Sequence, residues 1–185
     1  MRESTPATLR TQRLVLRPWS DGDYAPFADL NADPLVMEFF PKTIERGASD
    51  EMAAIIQARL VRDGYGLWAV EIPGETDFAG FIGLQHVPFE SHFTPALEIG
   101  WRLARAAWGR GLATEGALAA LAFAHDELGW VEVVSMTSVV NERSRRVMEK
   151  IGMTRDPGDD FDNPRVPEGH ALRRHVLYRH RVAGV

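Results

Sequence analysis

The chain has 185 residues, 45% of them hydrophobic and 25% charged, and a formal net charge of −5. That length suits one domain, 1–185, with a sizeable core, and the acidic balance speaks against nucleic acid as a partner. There is no cysteine, which excludes disulfides, thiolate catalysis and cysteine-ligated zinc and fits a cytoplasmic address.

The N-terminal stretch MRESTPATLRTQRL has no apolar core of a secretory signal. No apolar run approaches the roughly eighteen residues needed to span a bilayer, so no membrane partner is expected. Residues 8–19 contain an alternating apolar run at Leu14 and Leu16 and are expected to form a first strand. Ser20 or Asp21 then caps a helix with Tyr24, Phe27, Ala28 and Leu30 on its buried side. Asp33-Pro34 is expected to open a short second helix, closed by Phe39-Phe40-Pro41. Ser49-Asp50 caps a further helix to about Arg62, with Met52, Ile55, Ile56 and Leu60 at helical spacing and Gly64 as its stop. Residues 67–72 and 78–87, joined by the turn 73–77, read as an antiparallel hairpin. A third run, ALEIGWRL at 96–103, is another strand. A long helix is expected from Gly111 to about Leu128, a buried strand over 131–139, and a helix capped by Asn141 that ends near Ile151-Gly152. Residues 156–169 form a loop rich in Asp, Pro and Gly, long enough to suggest a functional lid. The last strand covers 171–181. The class is α+β: helices flanking a mixed, mostly antiparallel sheet.

The chemistry concentrates in residues 97–116, LEIGWRLARAAWGRGLATEG. A strand is followed by a short connection, then Gly109 and Gly111, then a helix at once. The first N–H groups of a helix lack internal partners, and with the helix dipole they form an anion site. Glycines let a diphosphate approach the backbone, and Arg110 can add a charge-assisted contact. The same glycines could simply satisfy the turn. A dinucleotide fingerprint needs glycine at position 114, where Thr114 stands. No phosphate-binding Gly-Lys-Ser/Thr sequence occurs, and only Lys42 and Lys150 are available for Schiff-base chemistry.

WGRGLATEG resembles the acyl-CoA diphosphate loop of the GNAT acetyltransferases, in the form found in the RimJ/RimL-like branch of ribosomal-protein N-acetyltransferases. RLVLRPW at 13–19, GFIGL at 80–84, LEIGWRL at 97–103 and NERSRRVMEKIGM at 141–153 resemble further motifs of that family in order and spacing. The resemblance covers about residues 9–178 and implies a GNAT fold of about seven strands, with a core of about residues 9–181 and a fourth and fifth strand that splay apart. It implies acetyl-CoA as co-substrate, no metal, and transfer of the acetyl group to a primary amine by direct attack on the thioester. Backbone amides of Gly109, Arg110, Gly111, Leu112, Ala113 and Thr114 would hold the diphosphate, and backbone groups of Trp101, Arg102 and Leu103 the pantetheine arm. Asn141 and Ser144 would lie near that arm and its thiol, although Asn141 also suits a plain N-cap. Trp108 stands where the general family pattern has Gln or Arg, a feature of this branch. Met148 stands where many members carry a tyrosine acid, which leaves Ser144 or a water for that role, or a release that needs no dedicated acid.

A base must take the proton of the attacking amine. Glu98, on the same strand face as Gly100 and Arg102, is the first candidate, and His86 at the end of the hairpin is the second. Glu98 could instead pair with an arginine. Phe39, Phe40 and the loop 156–169 are the expected walls of the acceptor pocket. The acceptor itself, a small molecule or a peptide or protein amine, stays open, and homodimerisation is common in the family. Two other classes compete: a non-catalytic acyl-CoA-binding sensor, and a nucleotide-binding domain.

Overall fold

The first expected strand breaks in two. Strand β1 (Leu9–Arg10) pairs antiparallel with strand β2 (Val15–Arg17), Leu9 opposite Leu16 and Arg10 opposite Val15. Thr11 makes the turn between them: its backbone N–H donates to the Leu14 carbonyl and its hydroxyl accepts from the Leu14 N–H, each at 3.0 Å. The computed structural model describes residues 5–182. The ends of the expected domain, 1–4 and 183–185, lie outside those described, as does the beginning of the N-terminal stretch.

Ser20 does open a helix, through a short 3-10 turn at Asp21–Asp23 that leads into helix α1 (Tyr24–Ala32). The Asp23 carboxylate accepts from the Ser20 backbone N–H (2.7 Å) and hydroxyl (3.1 Å), so cap and acid hold each other. No helix follows at Asp33-Pro34. The segment runs as turns, with the Asp33 carboxylate accepting from the Leu35 N–H and the Asp33 carbonyl from the Met37 N–H. Helix α2 (Arg46–Asp63) begins before the expected Ser49-Asp50 cap. Ser49 is instead fully buried within it, its hydroxyl accepting from Asn31 Nδ2 at 2.9 Å. Ala53, Ile56 and Leu60 complete the buried face, whereas Ile55 is exposed. Gly64 ends the helix in the left-handed region, φ 79°, as expected.

Strands β3 (Leu67–Glu71), β4 (Gly80–His86) and β5 (Leu97–Leu103) run antiparallel in succession. Helix α3 (Leu112–Asp126), strand β6 (Glu132–Ser138) and helix α4 (Glu142–Lys150) follow. The expected loop 156–169 is partly structured. Strands β7 (Thr154–Arg155) and β8 (Phe161–Asp162) both pair with the final strand β9 (Arg174–Arg181), so the segment is tied back as a hairpin. Among the described residues the sheet therefore has nine strands, in the order β1-β2-β3-β4-β5-β6-β9-β7 with β8 beside β9, more than the seven or so expected. The extra ones come from the divided first strand and the short pairings around β9.

Helices α1 and α2 cover one face, where Phe27 packs edge-on against Phe81. Helix α3 covers the other, with Gly116 against Ile82 and Phe123 against Trp68. Alternation along β4 and β5 sorts their residues accordingly. Ile82, Leu84, Leu97, Ile99 and Leu103 are buried toward α3, and Phe81, Gln85, Glu98, Gly100 and Arg102 turn toward α1 and α2. Strands β4 and β5 pair throughout, from Gly80 opposite Leu103 to His86 opposite Leu97. By contrast, β5 and β6 run parallel and meet only at Glu98 opposite Val134. Beyond that point they separate, as the splay requires, and the Ser135 hydroxyl bridges to the Ile99 carbonyl at 2.9 Å. No helix of the described residues is long and apolar enough to cross a membrane.

Candidate active site

The loop into α3 forms an open cradle of amides. Gly109 and Gly111 both take left-handed backbone angles, φ 73° and 78°, and Gly111 is the helix N-cap. Among the described residues, the N–H groups of Gly109, Arg110, Gly111, Leu112, Ala113 and Thr114 make no well-formed hydrogen bond. The positive end of the helix dipole therefore faces outward with its donors free. The Leu112 side chain is buried in the core, which fixes where the helix starts. Trp108 anchors the approach by donating from Nε1 to the Leu103 carbonyl at 2.8 Å.

An acid in the first helical turn would oppose an anion here, and Glu115 is one. It is neutralised: its carboxylate accepts from the Thr11 hydroxyl, the Arg13 backbone N–H and the Arg13 guanidinium, at 2.6 to 2.8 Å. Burial pushes this carboxyl up, but those bonds and the arginine's charge hold it below the ordinary range. Arg13 also donates to the Arg110 carbonyl, and its Nη2 lies 3.7 Å from where a Gly111 side chain would begin. It brings a cation to the rim of the cradle, a role its place in the RLVLRPW motif alone does not reveal. The Arg110 side chain itself is turned onto Glu75 (2.6 and 2.8 Å), so its guanidinium is already engaged.

Glu98, Gly100 and Arg102 form the floor on the opposite face of β5 from α3. The Glu98 carboxylate accepts from Gln85 Nε2 at 2.9 Å. Burial pushes its pKa up to about 7, against the smaller downward pulls of the Gln85 bond and the Arg165 charge. A carboxyl there changes charge near neutral pH, the range a general base needs. A side chain at Gly100 would meet nothing within 4 Å, so the floor beside Glu98 is open. Arg165 brings the segment before β9 toward Glu98, and Phe89, Phe93 and Phe161 pack together with Val134 and Met136 beyond it. His86 is not brought to this floor. It lies on the α3 face, its Nε2 at 3.3 Å from the Tyr65 hydroxyl and its ring 5.7 Å from that of Trp130.

Helix α4 begins at the other side of the split. The Asn141 side chain accepts from the Ser144 N–H (3.1 Å) and donates to the Thr137 hydroxyl (2.9 Å), so it caps the helix and ties it to β6. Ser144 is partly buried one turn in, whereas Met148 is buried in the core. Phe39 and Phe40 come from the turns after α1. The Arg102 guanidinium lies 4.3 Å over the Phe40 ring, and Arg143 lies over the rings of Phe39 (5.3 Å) and Trp108 (4.5 Å) while pairing with Glu38. Arg143 thus links this wall to α4. Among the described residues no three His, Asp or Glu side chains are grouped so as to hold a metal ion.

Comparison with known proteins agrees with this geometry. Residues 13–154 match the family model described as an acetyltransferase (GNAT) domain. The FsC-acetyl coenzyme A-N(2)-transacetylase of Aspergillus fumigatus is 33% identical over 156 residues, 80% of this chain, and the chain spans 65% of that relative's length. The crystal structure of an acetyltransferase from Agrobacterium tumefaciens superposes with a TM-score of 0.77 at 28% identity, over 96% of each chain. A ribosomal-protein-S5-alanine acetyltransferase from Vibrio fischeri shares the fold, with a TM-score of 0.75 over 96% of this chain and 98% of its own, at 11% identity. With a free amide cradle at the mouth of a split sheet and a family match across most of its length, the chain belongs to the GNAT acetyltransferase family.

Proposed function

We propose that the chain acts as one domain that transfers the acetyl group of acetyl-CoA to a primary amine by direct attack. The observation that carries this reading is the row of unpaired amides from Gly109 to Thr114, set where β5 and β6 part. Donors in that arrangement suit a diphosphate. The edge of β5 from Gly100 to Leu103, where Trp108 engages the Leu103 carbonyl, suits the amide-rich pantetheine arm, which would add to the sheet as a strand does. The acetyl group would then lie near Gly100, where the floor is open.

Glu98 takes the amine proton, directly or through one water, and the neutral nitrogen attacks the thioester carbon. A strand amide near Trp101 or Arg102 receives the charge that develops on the carbonyl oxygen. The C–S bond then breaks, and the thiolate leaves toward the start of α4, where Ser144 is the nearest expected hydroxyl, and takes up, through Ser144 or a water, the second proton that the nitrogen gives up as it becomes an amide. Met148, buried in the core, supplies no proton. The open floor beside Glu98 leaves room for an acceptor amine, which a protein that only sensed the coenzyme would not need. The shared fold of the ribosomal-protein enzyme supports the RimJ/RimL-like branch. The test is thiol release from acetyl-CoA with a panel of primary amines. Amine-dependent release is the expected result, and coenzyme binding with no release from any amine would establish the sensor instead.

A further inference from the structure

Arg102 is the one buried arginine among the described residues; Arg145 and Arg165 near the site likewise form no ion pair, but both are more exposed. Arg13, Arg17, Arg110 and Arg143 each meet a carboxylate. Arg102 is 9% exposed, and among the described residues no carboxylate forms an ion pair with it. Burial alone pulls its pKa down to about 10, so it stays charged at neutral pH. A buried charge without a counter-charge is expensive. Two features offset part of that. Nη1 donates to Asn31 Oδ1 at 2.5 Å, and the Phe40 and Phe81 rings lie 4.3 and 5.4 Å away. Neither reaches the Nε side of the guanidinium. Nε is buried with no hydrogen-bond partner, and Nη2 makes no hydrogen bond among the described residues. These two nitrogens form the edge with which arginine grips a carboxylate in two parallel bonds.

The surroundings suit a ligand there. Arg102 and Glu98 share one strand face with the open position Gly100 between them. A strand advances about 3.3 Å per residue, so Glu98 and Arg102 stand roughly 13 Å apart along the strand with Gly100 midway, a distance that their side chains and a small acceptor would bridge together. Phe40, whose ring lies beside the guanidinium, is itself 40% exposed and stands in a segment of turns. Nε is enclosed in this structure, so a ligand would reach the Nε–Nη2 edge by displacing neighbouring side chains, and two parallel bonds along that edge fit a flat carboxylate better than a tetrahedral phosphate.

We propose that the acceptor is a small primary amine that also carries a carboxylate, bound in two parallel bonds by Nε and Nη2 of Arg102 while its amino group faces Glu98. This rests on the acyl-transfer reading above. The Arg102 side chain acts here as a specificity-determining group, separate from the backbone role of β5 toward the coenzyme.

The experiment measures thiol release by the wild-type protein with acetyl-CoA and matched acceptors: glycine, β-alanine and 4-aminobutyrate, each beside its carboxamide, and an aminoalkyl phosphate. Rates are compared at equal concentrations of the neutral amine, because the amide raises the acidity of the amino group. The expected result is a kcat/KM at least about tenfold higher for the carboxylate member of at least one pair, carried mainly by KM. In Arg102→Met that ratio should fall to within about threefold of one, with Arg102→Lys intermediate because a point charge keeps attraction but not the paired geometry. The wild-type ratios decide the matter even if the Arg102 variants do not fold. Equal turnover of acids and amides, a preference that survives in Arg102→Met, or a preference for the phosphate overturns the carboxylate assignment and leaves acyl transfer standing. No release with any of the amines, while acetyl-CoA still binds, overturns both.

Discussion

Glu98 joins three properties that rarely coincide: a position on the open face of β5, a hydrogen bond from Gln85, and a carboxyl pushed up to about 7 by burial. If it is the base, its ionised form is the active one, and kcat/KM for a fixed acceptor should rise through about pH 7. Glu98→Gln should remove that inflection and lower kcat/KM by about 10²–10⁴ above it, leaving only the later rise from the amine's own deprotonation. A variant that keeps the inflection would transfer the role elsewhere. The same shift has a consequence for stability. The folded carboxyl binds its proton more tightly than the unfolded one, so the wild type loses stability as pH rises from the unfolded value toward about 7. Glutamine stays neutral throughout. Glu98→Gln should therefore melt a few degrees above the wild type at about pH 8 and close to it at about pH 4, as scanning calorimetry would show. Strand alternation, together with the resemblance of LEIGWRL to the family's fourth strand, makes Glu98 visible in the sequence. Gln85 and Arg165 do not show, because what joins them to Glu98 is the pairing of β4 with β5 and the return of a distant segment. His86 fails for the complementary reason: one step along β4 turns it to the α3 face, beside Tyr65 and Trp130.

Local punctuation made most elements legible, and tertiary bonds account for those that were not. Gly64, Gly111 and Asn141 mark helix ends by backbone angle or by a side-chain cap, and each holds. The turn that splits β1 from β2 contains neither glycine nor proline. It depends on the Thr11 hydroxyl and on Glu115 more than a hundred residues away. Ser49 looks like a cap by composition, yet Asn31 draws it into the interior and lets α2 start earlier. At the α3 entrance, conformation and charge can be tested separately. Asn and Asp both tolerate the left-handed region better than other side chains and are nearly the same size. Gly111→Asn should keep acetyl-CoA binding within a few-fold of the wild type. Gly111→Asp places a carboxylate against the proposed diphosphate and should weaken binding by about tenfold or more at low salt. Titration calorimetry at two ionic strengths reads the difference, which should shrink as salt rises. Equal affinities for the two variants would mean that no phosphate sits there.

Across the whole molecule, the sheet is continuous from β1 to β5 and again from β6 through β9 to β7, and the two halves meet at one residue pair, Glu98 and Val134. Ser135 braces the start of the gap by its bond to the Ile99 carbonyl, and Arg143 links the wall bearing Phe39 to α4. A ligand whose diphosphate occupies the α3 cradle while its arm lines the edge of β5 would replace the strand pairing missing there and hold both halves together. Coenzyme A should therefore stabilise the fold beyond what its phosphates alone achieve. At a hundredfold excess over its Kd the linkage term is about 2.7 kcal/mol, which for a chain of this size raises Tm by roughly 5–10 °C. Adenosine 3′,5′-diphosphate and NAD carry phosphates but no pantetheine arm, and at the same concentration they should move Tm by much less. Hydrogen exchange should show the added protection along residues 100–103, on the edge of β5 that faces the gap, since an amide bonded to the arm is closed to solvent. Equal shifts from coenzyme and nucleotides, with that strand edge exchanging as fast as before, would mean the split in the sheet is not where the arm binds.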